Sequence, residues 1–176
     1  MSTGQTKFKR MMLDFLFSCG FPPVYVASTN FLGNRDGFNL QGKSQNNSKI
    51  LTKSSMLENC RQQRPGVDQK RSIAHSVNIE YIEGCGDDKL AIDEYCFRLA
   101  MGQQTSMSVR TVCKDTLLAI PLLFDLCVLL PMACGRMYSH MASELLAYYF
   151  KSTPFTKSEF LLEQLEYLTE WIAKSE

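Results

Sequence analysis

Two runs of alternating apolar residues in the second half of the chain constrain the fold most strongly. Gly102-Gln103-Gln104 separates the runs, which are Tyr95, Phe97, Leu99 and Met101, then Met107, Val109, Thr111 and Cys113. Residues that alternate in this way lie on one face of a strand, because successive side chains of a strand point to opposite faces. Two such runs joined by a short glycine-containing segment predict an antiparallel β-hairpin.

A helix and two further strands are predicted before this hairpin. Apolar residues recur at helical spacing between Thr6 and Gly20, namely Phe8, Met11, Met12, Phe15 and Cys19. The short apolar run VYVAS (24–28) is typical of a buried strand, and HSVNIEYI (75–82) alternates as a second strand does. A buried strand needs neighbours on both sides, so this helix and strand, which have no parallel sheet of their own, indicate a section of chain before residue 1.

The last third of the chain is predicted to be helical. TLLAIPLLFDLCVLLPMACG (116–135) is about long enough to span a bilayer, but a carboxylate such as Asp125 costs on the order of 2.5 kcal/mol or more in lipid. We therefore expect no membrane span, and a long helix from about Asp115 buried between two layers of a larger fold. A final helix is expected to begin at the T-x-x-E pattern of Thr156 and Glu159, with a buried side formed by Phe160, Leu161, Leu165, Leu168 and Ile172.

Composition and cysteine spacing exclude several classes of protein. With 45% apolar and 21% charged residues the chain is expected to fold, and a net charge of +1 spread along the sequence argues against a nucleic-acid partner. The seven cysteines form no CxxC pair, which argues against a zinc site and a disulfide framework and predicts reduced core thiols. The first 20 residues contain no continuous apolar segment of the secretory kind, so the expected compartment is the cytoplasm.

A long polar segment, from Thr29 to Arg71, interrupts these elements. Segments of this length and polarity are usually functional or disordered, although residues 54–60 predict a short helix. Lys49 and Lys53 are four residues apart and point the same way on a helical turn, either as a solvated basic patch or as donors to an anion. Lys89 follows Gly86-Asp87-Asp88 at a predicted tight turn, where it either is an ordinary turn residue or converges on a site.

Two further polar positions have ordinary structural explanations. Asn34-Arg35-Asp36-Gly37 predicts a turn in which glycine adopts a positive φ, and Asp115 has the position of a helix N-cap. The sequence has no GxGxxG pattern and no P-loop. Taken singly, none of these residues identifies a chemistry.

Taken together, five stretches resemble the myo-inositol-1-phosphate synthase family. They are GQTKFK (4–9), ASTNFLGNRDGFNL (27–40), SKILTKSS (48–55), GDDKLAIDEY (86–95) and CKDTLLAIPLLFDL (113–126). They occur in the family's order and with its spacing. The resemblance implies an isomerase of inositol and phospholipid biosynthesis that converts D-glucose 6-phosphate to 1D-myo-inositol 3-phosphate. It also implies NAD as cofactor, with oxidation at C5, enolisation, intramolecular aldol closure and reduction.

The resemblance assigns roles to particular residues. Lys49, Lys53 and Lys89 are assigned to catalysis and substrate binding, because lysines stabilise charge that develops on enolate, alkoxide and phosphate oxygens. Residues assigned to the cofactor-facing wall are Asn34, Asp36, Gly86, Asp87 and Asp115, and Asn30 is assigned to substrate binding and to support of that wall. The polar segment would then order around substrate and cofactor.

The implied fold class is α/β, with a small mixed sheet domain. Residues 1–30 would be a leftover helix and strand of a Rossmann-like NAD domain, residues 31–114 the catalytic and tetramerisation sheet domain, and residues 115–176 helices that cover the NAD domain. The glycine-rich dinucleotide site of the family is absent from the sequence. The chain also departs from the family pattern at Arg35, Asn46-Asn47 and Asp88, and Asp88 adds a negative charge beside Lys89.

Two main functions stay open at this point. The chain is either a shortened inositol-phosphate synthase or a non-catalytic partner that oligomerises with full-length synthase subunits. In both cases the isolated chain is expected neither to retain NAD nor to form inositol phosphate. A third alternative is a degenerate product that folds poorly and aggregates through its exposed apolar segments.

Overall fold

The computed structural model of the chain describes residues 4–40, 73–114, 116–133, 139–150, 158 and 160–174. The described helices are α1 (Gly4–Ser18), α2 (Arg35–Asn39), α3 (Ile120–Ala133), α4 (Ser139–Ala147) and α5 (Leu161–Ala173). The strands are β1 (Pro23–Leu32), β2 (Ala74–Tyr81), β3 (Asp88–Arg98) and β4 (Gln104–Lys114). Short 3₁₀ turns lie at Glu83–Cys85, Ala100–Gly102 and Leu117–Ala119.

The four strands form one mixed sheet in the order β2-β1-β3-β4. β1 runs parallel to β2 and antiparallel to β3, and β3 and β4 form the predicted hairpin with longer strands than the alternation indicated. The mixed α/β class is confirmed. β1 has both neighbours, β2 and β3, within this chain. The expectation of a further section of chain before residue 1 stays a prediction. The expected domain boundary near residue 30 falls inside β1, and the division into three domains stays a prediction.

Helix α1 lies on one face of the sheet, with a different side inward from the one its apolar spacing indicates. Its buried residues are Gln5, Lys9, Arg10, Leu13, Asp14 and Leu16. Leu13 and Leu16 form the main core cluster with Val26, Tyr95 and Phe160, whereas Met11 and Phe15 are exposed. Polar side chains can occupy the inward face because most form hydrogen bonds or ion pairs there.

Helices α3, α4 and α5 share a second apolar cluster, to which Leu126, Leu129, Leu145 and Leu168 contribute. Ten of the fourteen residues of α3 are exposed in this chain, including Leu123, Phe124 and Val128. The burial of this helix between two layers of a larger fold stays a prediction. Burial raises the pKa of Tyr149, and the carboxylate of Asp125 on α3 raises it further, to about 12. None of the helices described here is both long and apolar enough to cross a bilayer.

Helix α5 begins at Leu161, later than the T-x-x-E pattern predicts. Thr156 and Glu159 lie outside the described residues. Phe160 and Leu168 are buried as predicted, whereas Leu165 is exposed and Gln164 is buried instead. The reason is a polar contact with α1, in which Arg10 Nη1 donates to Gln164 Oε1 at 3.1 Å and the Leu161 amide donates to Asp14 Oδ2 at 3.1 Å. These bonds fix α5 against α1.

The predicted burial of the cysteines holds for one of the five that the structure describes. Cys19, Cys85, Cys96, Cys113 and Cys127 are free thiols, and of these five Cys96 alone is buried. Cys60 and Cys134 lie outside the described residues. Cys127, for example, is exposed because it lies on the outward side of α3.

Candidate functional site

The face of the sheet beneath α1 changes from apolar to polar along its length. Val26 and Tyr95 lie at the apolar end, beneath Leu13 and Leu16 of α1. Towards the other end, the paired positions on this face are Ser28 with Asp93, Asn30 with Ala91, and Leu32 with Lys89. Residues two apart on a strand share a face, so these side chains form one continuous surface, which we call the polar end of the sheet.

A buried charge pair occupies the polar end. Lys9 Nζ lies 3.0 Å from Asp93 Oδ1 and also donates to Ser28 Oγ, and Gln5 Nε2 lies 3.0 Å from each Asp93 oxygen. Burial lowers the pKa of the Lys9 ammonium, Asp93 opposes this shift, and the positive charge of Lys89 lowers the pKa further. Lys89 is therefore within electrostatic range of the pair.

Asn30 lies between the charge pair and Lys89 and is 1% exposed. Its Nδ2 donates to the backbone oxygen of Asn78 at 3.3 Å. Its Oδ1 has no hydrogen-bond partner among the residues that the structure describes. A buried carbonyl oxygen without a partner costs about 1–3 kcal/mol, so an unsatisfied acceptor here indicates a place for a ligand or water donor.

Two turns meet where the polar end of the sheet stops. A Cβ placed on Gly33 would lie 2.4 Å from the Gly86 nitrogen and 2.6 Å from the Ile82 oxygen, so the two backbones are in close contact. Gly86 adopts a φ of 55°, a conformation that favours glycine. The contact places the segment after β1 beside the segment before β3.

The predicted Asn34–Gly37 turn is a helical turn instead. Residues Arg35–Asn39 form the short helix α2, and the Gly37 amide donates to Asn34 Oδ1 at 2.8 Å, as at a helix N-cap. Gly37 is not among the described glycines with positive φ, so the expected positive φ is wrong. Asp36 lies in this helix and Asn34 directly precedes it, so these two predicted cofactor-wall residues are adjacent in one short segment.

Two acidic residues at the start of β3, Asp87 and Asp88, have partners at the surface. Thr116 Oγ1 donates to Asp87 Oδ2 at 2.6 Å, and Lys114 Nζ lies 2.7 Å from Asp88 Oδ1. Lys114 balances the charge of Asp88, and Asp88 in turn raises the pKa of the Lys114 ammonium. Asp88 therefore has a cation of its own.

Lys89 is the catalytic-lysine candidate that the structure describes. It is the second residue of β3, not a turn residue as predicted, and it lies opposite Leu32 and Cys113. Lys49, Lys53 and Asp115 lie outside the described residues, so the convergence of the three lysines stays a prediction. The structure brings Lys89, Asn30 and the Gly86–Asp87 turn to one end of the sheet.

Sequence reasoning missed the roles of Lys9, Asp93, Gln5 and Ser28. One signal was available, because aspartate is disfavoured in strand interiors and Asp93 lies between Ile92 and Glu94 in a clearly alternating strand. A buried charge usually requires a charged partner. Spacing could not identify that partner, since Lys9 is on another element.

Comparison with known proteins places this arrangement in a family. A family model described as myo-inositol-1-phosphate synthase matches residues 4–116. Inositol-3-phosphate synthase of Candida glabrata is 39% identical over 130 residues, which cover 72% of this chain and 24% of the relative. Inositol-3-phosphate synthase 1-A of Xenopus laevis is 41% identical over 137 residues, covering 76% and 24% respectively. The chain thus spans about a quarter of the length of these curated relatives.

Solved structures agree with the sequence comparison. The crystal structure of inositol-3-phosphate synthase from Caenorhabditis elegans superposes with a TM-score of 0.84 at 32% identity, over 98% of this chain and 36% of that one. A synthase-related protein from Thermotoga maritima has a TM-score of 0.79 over 98% of this chain and 44% of that one, and at 22% identity it supports the fold alone. By its matched motifs and its fold, the chain belongs to the myo-inositol-1-phosphate synthase family, as its five stretches predicted.

Proposed function

We propose that this chain provides the phosphate- and oxyanion-binding part of an inositol-3-phosphate synthase site, which acts on D-glucose 6-phosphate. The observation that carries the proposal is the position of Lys89. It lies on the same sheet face as the buried Asn30, at the end where the Gly33 and Gly86 backbones meet. Family membership supports the substrate class and an isomerase reaction.

The residues at the polar end of the sheet suit this chemistry. An ammonium group such as that of Lys89 donates to phosphate and to the oxygen that becomes negative during enolisation, and one such donor can be worth about 3 kcal/mol in a dry site. Asn30 Oδ1 can accept a hydrogen bond from a sugar hydroxyl. We propose that Lys49 and Lys53 complete the set of donors from residues 41–72.

The cofactor proposed for this site is NAD, in keeping with the family. A Cβ placed on Gly86 would meet no atom within 4 Å, so a flat ring or ribose can approach the backbone there, and the Asp87 carboxylate beside it can accept from ribose hydroxyls. Asn34, Asp36 and Asp115 are the other proposed wall residues. When bound, NAD would supply the hydride acceptor, while this chain's lysines bind the anionic oxygens. The proposed compartment is the cytoplasm.

Lys89→Ala is expected to weaken glucose 6-phosphate binding by about tenfold, because it removes one charged donor to the phosphate or to a sugar oxygen. Isothermal titration of the 176-residue chain with glucose 6-phosphate, glucose and inorganic phosphate measures this. Lys174→Ala is the matched control, since Lys174 pairs with Glu170 at the surface of α5. Equal affinity for glucose and glucose 6-phosphate, or equal losses in the two variants, would contradict the proposal.

A second candidate function is supported by the exposed side of α3. Leu123, Phe124 and Val128 are between 50% and 69% exposed on one helix. Adjacent exposed apolar side chains are typical of a protein interface. They favour a non-catalytic partner that joins full-length synthase subunits, or a homo-oligomer such as a tetramer.

For this second function we expect the chain to co-elute with full-length Caenorhabditis elegans inositol-3-phosphate synthase in size-exclusion chromatography. Phe124→Ser is expected to abolish co-elution, because it places a hydroxyl on the apolar surface. Phe15→Ser, at an exposed position on α1, is the control and should co-elute. Formation of inositol phosphate by the isolated chain above a Lys53→Ala control would show that the chain is catalytic instead.

A further inference from the structure

The buried Lys9–Asp93 pair has no assigned role in the site described above. Its side chains are 3% and 2% exposed, and they join helix α1 to strand β3. Forming an ion pair in a dry environment costs desolvation of both charges, and apolar residues of the same volume are often at least as stable. Stability alone therefore does not explain why this pair lies next to the candidate site.

The charges at the polar end of the sheet suggest an explanation. Lys9 and Lys89 are positive, and Asp93 is negative. With Lys9 in place, the Asp93 carboxylate is neutralised at 3.0 Å and is also bound by Gln5 through both oxygens. Without Lys9, the same carboxylate would be a buried negative charge beside the place where an anion is to bind. Such a charge would offset the attraction of Lys89.

We propose that Lys9 and Asp93 are positioning residues for anion binding at Lys89, with Lys9 neutralising Asp93 so that this carboxylate does not repel the anion. The inference rests on the proposed function, in which Lys89 binds a phosphate or an oxyanion. Neither residue of the pair contacts the ligand in this account. Both act through the field at Lys89.

The geometry favours this account over a role as direct ligands. Lys9 extends from α1 to the sheet, where its buried ammonium group is bound to both Ser28 and Asp93. Asp93 and Lys89 lie on the same face of β3, separated on that face by the small side chain of Ala91, which pairs with Asn30 of β1. A low effective dielectric constant strengthens the interaction between charges in such a buried place.

Affinity for inorganic phosphate and for glucose 6-phosphate, measured by isothermal titration of the full chain, tests the proposal. Lys9→Met is expected to weaken the binding of both anions by about tenfold, since it exposes the ligand to one uncompensated unit charge. The double variant Lys9→Met/Asp93→Asn removes both charges and is expected to bind within about threefold of the wild type. A purely structural pair would not regain affinity in the double variant.

The salt dependence of binding is a second readout that a structural role would not change. Lys9→Met is expected to show a shallower fall of affinity with salt than the wild type, and the double variant the same fall as the wild type. If circular dichroism shows that Lys9→Met does not fold, Asp93→Asn alone carries the test. Its affinity for phosphate is expected to be at least that of the wild type.

The proposal and the proposed function fail in different ways. Equal weakening in Lys9→Met and the double variant, an unchanged affinity in Lys9→Met, or a loss in Asp93→Asn would overturn the role of the pair. Binding of phosphate with the expected order of variants, but with no preference for glucose 6-phosphate, would overturn the proposed substrate and leave the pair's role intact. Absence of any phosphate binding would overturn both.

Discussion

Leu13→Ala is expected to lower the free energy of unfolding by about 2–5 kcal/mol, the range for truncating a fully buried leucine. Leu13 is 0% exposed and packs with Leu16, Val26 and Tyr95 between α1 and the sheet. The loss comes from the transfer of the removed methyl groups and from the cavity left between helix and sheet. Because the total stability of a domain is typically about 5–15 kcal/mol, this is a large fraction of it.

Urea unfolding followed by circular dichroism measures this effect. Phe15→Ala is the control on the same helix, because Phe15 is 56% exposed, and its expected loss is below about 1 kcal/mol although it removes a larger side chain. A larger loss in Phe15→Ala than in Leu13→Ala would show that α1 packs through its apolar stripe. The pair of variants thus decides which side of the helix faces the sheet.

Local periodicity was sufficient to find the elements but not their buried sides. The spacing between Thr6 and Gly20 identified α1, and alternation around Gly102 identified the hairpin, because both patterns depend on residues close in sequence. The inward side of α1 depends on Asp93 and Gln164, which are 88 and 154 positions from their α1 partners Gln5 and Arg10. No window of local sequence contains that information.

The pairing partners of β1 in the sheet likewise cannot be predicted from local sequence. A run such as VYVAS predicts a buried strand, but the pairing of β1 with β2 and β3 joins segments separated by a long polar stretch. The sequence therefore left β1 without partners that the fold supplies. The packing of α3 is not predicted either, since its composition suggests a fully buried helix whereas ten of its fourteen residues are exposed in this chain.

The candidate site was predicted through motifs in combination. Lys89 and Gly86-Asp87 were assigned from five ordered stretches, and the structure places them with Asn30 at one end of the sheet. The Lys9–Asp93 pair was not assigned, although both residues lie within those stretches. A motif identifies a position but not its charge partner, which depends on the packing of a helix on a strand.

Gly33→Ala is expected to lower the free energy of unfolding by about 3 kcal/mol, the upper end of the usual range for overpacking. The added methyl group would lie 2.4 Å from the Gly86 nitrogen, 2.6 Å from the Ile82 oxygen and 2.7 Å from the Cys85 carbonyl carbon. All three atoms belong to the backbone, so no side chain can rotate to relieve the contact. One of the two turns must move away from the other.

That movement would also affect the site, because Gly33 follows Leu32, which lies opposite Lys89. We therefore expect Gly33→Ala to weaken glucose 6-phosphate binding even under conditions in which the variant is fully folded. Gly84→Ala is the matched control, since Gly84 lies in the adjoining 3₁₀ turn and a Cβ there meets no atom within 4 Å. The free energy of unfolding of Gly84→Ala should change by less than about 1 kcal/mol. The change is stabilising where its main effect is to reduce the conformational entropy of the unfolded chain. Equal effects of the two substitutions on melting temperature and on affinity would show that the contact between the two turns does not shape this end of the sheet.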